Sequence, residues 1–225
     1  MKLLDMEQGA SINQIKKTIR NSFDEQGIKS SLIGVLFAPP TSFIKSEIVD
    51  SFEYFHYRSE RIINFFWVGY EQADENDSKK IFELNKEFWK FNPYEFNKLR
   101  NEFENETRWI FSGESDLLLF TATSDESELI AFDFADAIVI NLEKAKEEKA
   151  ISSVRGLFEI VFSISQKLKK ENSSLKLSGQ LIIHAARTSA FSLLVSFLPN
   201  RFQKDINTVY AFCTENIKKS TEQRL

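Results

Sequence analysis

The sequence predicts a mixed α/β fold, a sheet of about five strands with helices packed against it. Three observations predict it. Two apolar runs, Leu32-Ile33-Gly34-Val35-Leu36-Phe37 and Ile62 to Val68, flank a stretch with helical apolar spacing. That is the pattern of a parallel βαβ unit. Further on, Asp116-Leu117-Leu118-Leu119-Phe120-Thr121 and Glu128-Leu129-Ile130-Ala131-Phe132 bracket the polar tip 124–127, which predicts an antiparallel hairpin. Amphipathic helical stretches separate and follow these runs.

Taken in order, Ile12, Ile15, Ile19 and Phe23 fall on one face of a helix over 11–26. Gly27 is placed to end it, because glycine adopts the left-handed cap cheaply. The run at 32–37 stops at Pro39-Pro40. A second helix starts at Thr41 or Ser42, with Ile44, Ile48, Phe52 and Phe55 on its buried face. The segment 61–70 then reads as a strand covered on both sides, being rich in β-branched and aromatic residues.

Residues 71–77 read as an acidic surface loop, and Ile81, Leu84, Phe88 and Phe91 as the apolar face of a helix. Asn92-Pro93-Tyr94-Glu95 predicts a new helix start, with Asn92 as cap, Pro93 at the first helical position and Glu95 completing a capping box. After the hairpin, Ala137-Ile138-Val139-Ile140 reads as one more strand, although Phe134-Ala135 leaves little room for a turn. Glu143 to Lys149 favours a helix without an apolar face, and Ser152 or Ser153 opens a strongly amphipathic one through Leu168. Residues 180–186 fit a strand or the first half of a helix. Ile206, Val209, Tyr210, Cys213 and Ile217 space a final helix. No repeat and no Pro/Gly/Ser linker divides the chain, so residues 1–225 are expected to form a single α/β domain.

Composition narrows the setting. With 42% apolar residues, 28% charged residues and 22 Phe, the chain has ample material for a core. One Cys permits no internal disulfide. Acids at Asp5 and Glu7 interrupt what a signal peptide would continue as an apolar core, and no apolar stretch reaches the roughly 18 residues of a membrane span. The expected location is cytoplasmic, without membrane association. Residues 1–150 carry 18 Lys/Arg against 28 Asp/Glu, a net of −10; residues 151–225 carry 11 against 5, a net of +6. Such a division suits an anionic partner for the basic part or compensation within one fold, and the second reading is preferred.

The seven glycines at 9, 27, 34, 69, 113, 156 and 179 never cluster. Phosphate-cradling loops and the nucleophile elbow are thereby excluded. One Cys and two His argue against a structural zinc site. Of the two imidazoles, His56 suits the end of the second helix, where its charge meets the helix dipole. His184, if 180–186 is a strand, stands with Arg187 near a carboxyl end, where ligands of open sheets gather; a satisfied buried His184 is the simpler reading.

Asp133 and Asp136 are the acids closest to apolar strand residues, and could hold magnesium if neighbouring strands brought them together. Ser112-Gly113-Glu114-Ser115-Asp116 reads first as a turn. The free amides of the helix opened by Ser152-Ser153-Val154-Arg155-Gly156 suit an anion, and Arg155 with Arg187 and Arg201 makes a basic neighbourhood for it. Cys213 reads as a small apolar filler.

Two functions from different classes follow. The preferred one is a non-catalytic binding or regulatory module that acts through a protein partner, with no cofactor. The alternative is an enzyme acting on a phosphorylated or nucleotide-like ligand, either through Asp133 and Asp136 with magnesium or through Arg155, Arg187 and His184. A small anionic ligand fits the basic part. Nucleic acid does not fit, because Lys167, Lys169 and Lys170 form only a short cluster and the sequence pI is near 5.5.

Overall fold

The computed structural model describes residues 2–3, 11–59, 62–84, 86–124, 129–174 and 212–215. Its first elements follow the expected βαβ grammar. β1 (Lys2–Leu3) precedes α1 (Ile12–Gln26), which Ser11 caps by accepting from Gln14 N and Gly27 closes at φ 62°. β2 (Ser30–Phe37) is buried over its last seven residues. Thr41 caps α2 (Ser42–Glu47), a 3-10 turn at Val49–Ser51 interrupts the helix, and α3 (Phe52–Ser59) resumes it. The interruption leaves Ile44, Ile48, Phe52 and Phe55 buried together. β3 (Asn64–Trp67) then lies parallel to both β2 and β1.

The expected helix over 81–91 is instead a pair of strands. β4 (Tyr70–Ala73), β5 (Lys80–Leu84) and β6 (Glu87–Phe91) form a second, antiparallel sheet in the order β4-β6-β5. The acidic segment is therefore a loop only from Asp74 onward. Ile81, Leu84, Phe88 and Phe91 satisfy helical spacing by coincidence. What prevails is alternation: Phe82 and Leu84 are buried, and Phe82 pairs across the ladder with Trp89. Aromatic side chains suit such a pleated, half-buried surface. Phe82 stacks on Trp67 with ring centroids 5.6 Å apart, so both sheets share one apolar cluster.

α4 (Pro93–Glu106) has the expected cap and first residue, with the Asn92 side chain accepting from Tyr94 N and Glu95 N, while the Asn92 N–H that a capping box would give to Glu95 donates to the Gly69 carbonyl at 2.8 Å. β7 (Asp116–Ser124) pairs antiparallel with β2 along its length. β8 (Ile130–Asn141) is one continuous strand, not two joined by a turn. Leu119 pairs with Ile138 but Thr121 with Asp133, so β8 carries three more residues than β7 across the step. An odd insertion reverses the alternation of faces. Ile130 and Phe134 before the bulge face the same cluster as Ala137 after it, and Ile138 and Ile140 face the other.

α5 (Leu142–Glu147) is capped by Asn141 and buries Leu142 and Ala145, a small apolar face where none was expected. α6 (Val154–Ser174) is the expected amphipathic helix. The last described strand, β9 (Phe212–Glu215), overturns the expected final helix at those positions. It pairs antiparallel with Ala137–Ile140 of β8, satisfying backbone groups that an open sheet edge leaves unpaired. Cys213 therefore stands on a strand opposite Val139.

The main sheet has the order β1-β3-β2-β7-β8-β9, six strands against about five expected, parallel at one side and antiparallel at the other. Alternating side chains divide its two faces between two cores. Leu36, Phe65, Leu117 and Ile140 meet α2, α3 and α6, whereas Val35, Phe66, Leu118 and Phe120 meet α1 and α4. Gly34 sits where β2 crosses beneath the Phe65 ring, and a Cβ there would lie 2.7 Å from the ring. Gly34→Ala is expected to cost about 1–3 kcal/mol in urea unfolding, through overpacking.

Candidate functional site

The end of the sheet where β2, β3 and β8 finish is the place where ligands of open α/β sheets usually bind. Here the chain fills it with its own groups. The Ala38 carbonyl accepts from Trp67 Nε1 at 3.3 Å and from the Tyr70 hydroxyl at 3.0 Å. Burial pushes the Tyr70 phenol far above its ordinary pKa.

Beside them lies the cluster read from sequence as a turn. Asp116 is 2% exposed. Its carboxylate accepts from Trp109 Nε1 at 3.2 Å, Ser112 N at 2.9 Å and Ser112 Oγ at 2.7 Å. Asn141 donates through Nδ2 to Ser112 Oγ at 3.2 Å and Glu114 Oε2 at 2.7 Å, while its Oδ1 accepts from Lys144 N. Burial raises the Asp116 pKa above the usual aspartate value; the Ser112 hydroxyl and amide and the Trp109 indole oppose that shift. Three donors on one buried acid make a satisfied network that ties the 109–115 segment to β7 and β8. It is a fastening, with the turn reading made specific.

The helix start expected to receive an anion also has its occupant. Glu47 at the end of α2 accepts from Val154 N through Oε2 at 3.1 Å, and its Oε1 pairs with Lys146. Ser153 Oγ accepts from Gly156 N at 3.0 Å. The chain's own carboxylate thus meets the positive end of α6. Glu47→Ala is expected to lower stability by about 1–2 kcal/mol, read by urea denaturation.

Arg155 itself turns toward α3. Its guanidinium carbon lies 4.1 Å from the centre of the Tyr54 ring. The Tyr54 hydroxyl donates to Glu159 Oε1 at 2.6 Å, and Arg58 Nε approaches Glu159 Oε2 at 3.4 Å. Tyr54, Tyr57 and Arg58 share the outer side of α3 by their i, i+3, i+4 spacing, opposite the buried Phe52 and Phe55. Tyr57 is 58% exposed. Arg155 is exposed and has no ion-pair partner among the described residues.

The remaining candidates lie elsewhere. Asp133 is at the β8 bulge, where its Oδ1 accepts from Ala135 N at 3.0 Å; Asp136 is three residues on in the same strand. Among the described residues, no group of three or more His, Cys, Asp or Glu side chains is placed to hold a metal ion. His56 sits in the last turn of α3, its ring 6.5 Å from Phe52 and 5.5 Å from Tyr57. His184, Arg187, Arg201 and the 180–186 segment lie outside the described residues. A cavity of about 10 Å³ beside Ser31, Thr121 and Ser165 has room for one water. No helix among the described residues is long and apolar enough to cross a membrane.

Tyr54, Tyr57, Arg58 and Glu159 were missed in the sequence. Their spacings within each helix are visible there, as is Arg155 four residues before Glu159. The juxtaposition of α3 with α6 is not, because it depends on both helices crossing the same face of the sheet. No protein-family model, curated protein or solved structure matches the chain.

Proposed function

We propose that the chain is a non-catalytic binding module that works through a protein partner seated on the α3–α6 face. The observation that carries the reading is Arg155, an exposed guanidinium held over Tyr54 without an acidic partner among the described residues. A cation fixed in this way has already lost much of the side-chain freedom that docking would otherwise cost. Exposed Tyr57 lies three residues along α3 from Tyr54, and tyrosine and arginine are among the residues that dominate protein interfaces energetically. A cytoplasmic setting goes with the reading, since the single Cys has no partner for an internal disulfide.

The test compares the tagged chain with its Tyr57→Ser, Arg155→Gln double variant in the cells that naturally make it. The wild-type chain is expected to capture a companion in near-equal amount. The double variant should lose at least about tenfold of it while retaining its circular dichroism and urea midpoint. Identical companions for both proteins would sink the proposal.

A further inference from the structure

The same face indicates the chemistry of what docks there. Resting on that reading, we infer that the partner presents an acidic segment, one carboxylate of which takes the Arg155 guanidinium. Glu159, the carboxylate nearest Tyr54, is engaged by the Tyr54 hydroxyl at 2.6 Å and by Arg58 at 3.4 Å, whereas Arg155, over the same ring, has no ion-pair partner among the described residues. The Tyr54 ring covers one side of the guanidinium, its centre 4.1 Å from the guanidinium carbon, and a planar carboxylate can accept two guanidinium N–H donors in parallel. Tyr54 beside it, and the exposed Tyr57 three residues further along α3, supply the apolar contact area that a segment of chain can cover and thereby shield the pair from water.

One surplus cation suits a carboxylate better than a polyphosphate backbone. Nucleic acid binding draws on several cations placed along a groove, each neutralising one phosphate. On this face Arg58 is already paired, and the chain as a whole carries a net charge of −4.

The experiment measures fluorescence anisotropy of labelled twelve-residue peptides with the full chain. One probe carries six glutamates around a central leucine, and its counterpart carries six glutamines. A labelled twelve-nucleotide oligo-dT is the third probe. The glutamate peptide is expected to bind at least about tenfold more tightly than the glutamine peptide, with the preference collapsing at about 0.5 M salt. Arg155→Gln should weaken the glutamate peptide about fivefold, and Arg155→Lys should recover less than half of that, because an ammonium has neither the fork nor the stacking plane. Equal binding of the two peptides, an Arg155→Gln protein that binds as the wild type does, or tighter binding of oligo-dT would each overturn the inference. If a captured companion depends on Tyr57 while the peptides do not discriminate, the docking face stands and only its acidic ligand fails.

Discussion

Replacing Asp116 with leucine is expected to lower the unfolding free energy by about 4 kcal/mol, measured by urea denaturation. Leucine fills the space but accepts nothing, so Trp109 Nε1 and Ser112 N lose the oxygen they share. The buried Trp109 indole N–H left without an acceptor costs roughly 1–3 kcal/mol, and the amide and hydroxyl of the exposed Ser112 lose about 0.5–1.5 kcal/mol each. Asp116→Asn keeps one acceptor oxygen and should cost about 1 kcal/mol, which separates hydrogen bonding from shape. The pair of proteins also yields a pH dependence of known sign. Burial raises the native pKa of Asp116, so as pH rises past about 4 the unfolded chain ionises at this position first. The native state keeps the proton longer, and the stability it contributes falls across that window. Wild-type stability minus that of Asp116→Asn is therefore expected to decrease as pH rises from about 4. A difference that grew with pH would mean that the three donors outweigh burial.

Gly69→Val has the second large effect expected, a loss of about 2–5 kcal/mol, and it tests how the two sheets are joined. Gly69 links β3 to β4 with φ +87°, and its carbonyl accepts from Asn92 N at 2.8 Å. A side chain at that dihedral costs about 1–2 kcal/mol in backbone strain. A Cβ would also lie 2.8 Å from both the Phe91 ring and Phe96 Cβ, and overpacking adds about 1–3 kcal/mol. Gly27→Ala is the control, for Gly27 has a similar positive φ but nothing within 4 Å of its added Cβ. It should lose only the backbone share, about 1–2 kcal/mol in the same assay.

Where local chemistry and tertiary demand agree, this fold is legible in the sequence. Asn92 caps the helix it was expected to cap, the helices expected over 11–26 and from Thr41 or Ser42 begin at those places, and the parallel β2–β3 pair with its antiparallel β7–β8 neighbour follows from the apolar runs. It is illegible where one run of residues satisfies two periods. Residues 81–91 fit both a helix and a hairpin, and the apolar surface offered by Trp67 and Phe52 selects the hairpin. At 212–215 the open edge of β8 selects a strand over helical spacing. Along β8 the change of phase between Phe134 and Ala137 was visible as awkward spacing, but a turn was inferred where the chain makes a bulge.

The site follows the same division. Arg155 was singled out from its place at a helix start, yet the anion expected there is Glu47, which is 107 residues away in sequence. Its actual neighbour, Tyr54, lies on a different helix that reaches it only through the sheet both cover. Ser112 to Asp116 was legible as a turn from its composition, but the burial that gives Asp116 its raised pKa comes from Trp109 and the strand pairing around it.

A photo-crosslinking amino acid placed at position 57, in the cells that naturally make the protein, tests the docking face most directly. The control carries the same group at position 87, an exposed site on β6 of the other sheet. One discrete heavier band from position 57, absent from position 87 and lost on adding Arg155→Gln, is the result expected of a partner seated on α3 and α6. Equal adducts from both positions, or none from position 57, would contradict it.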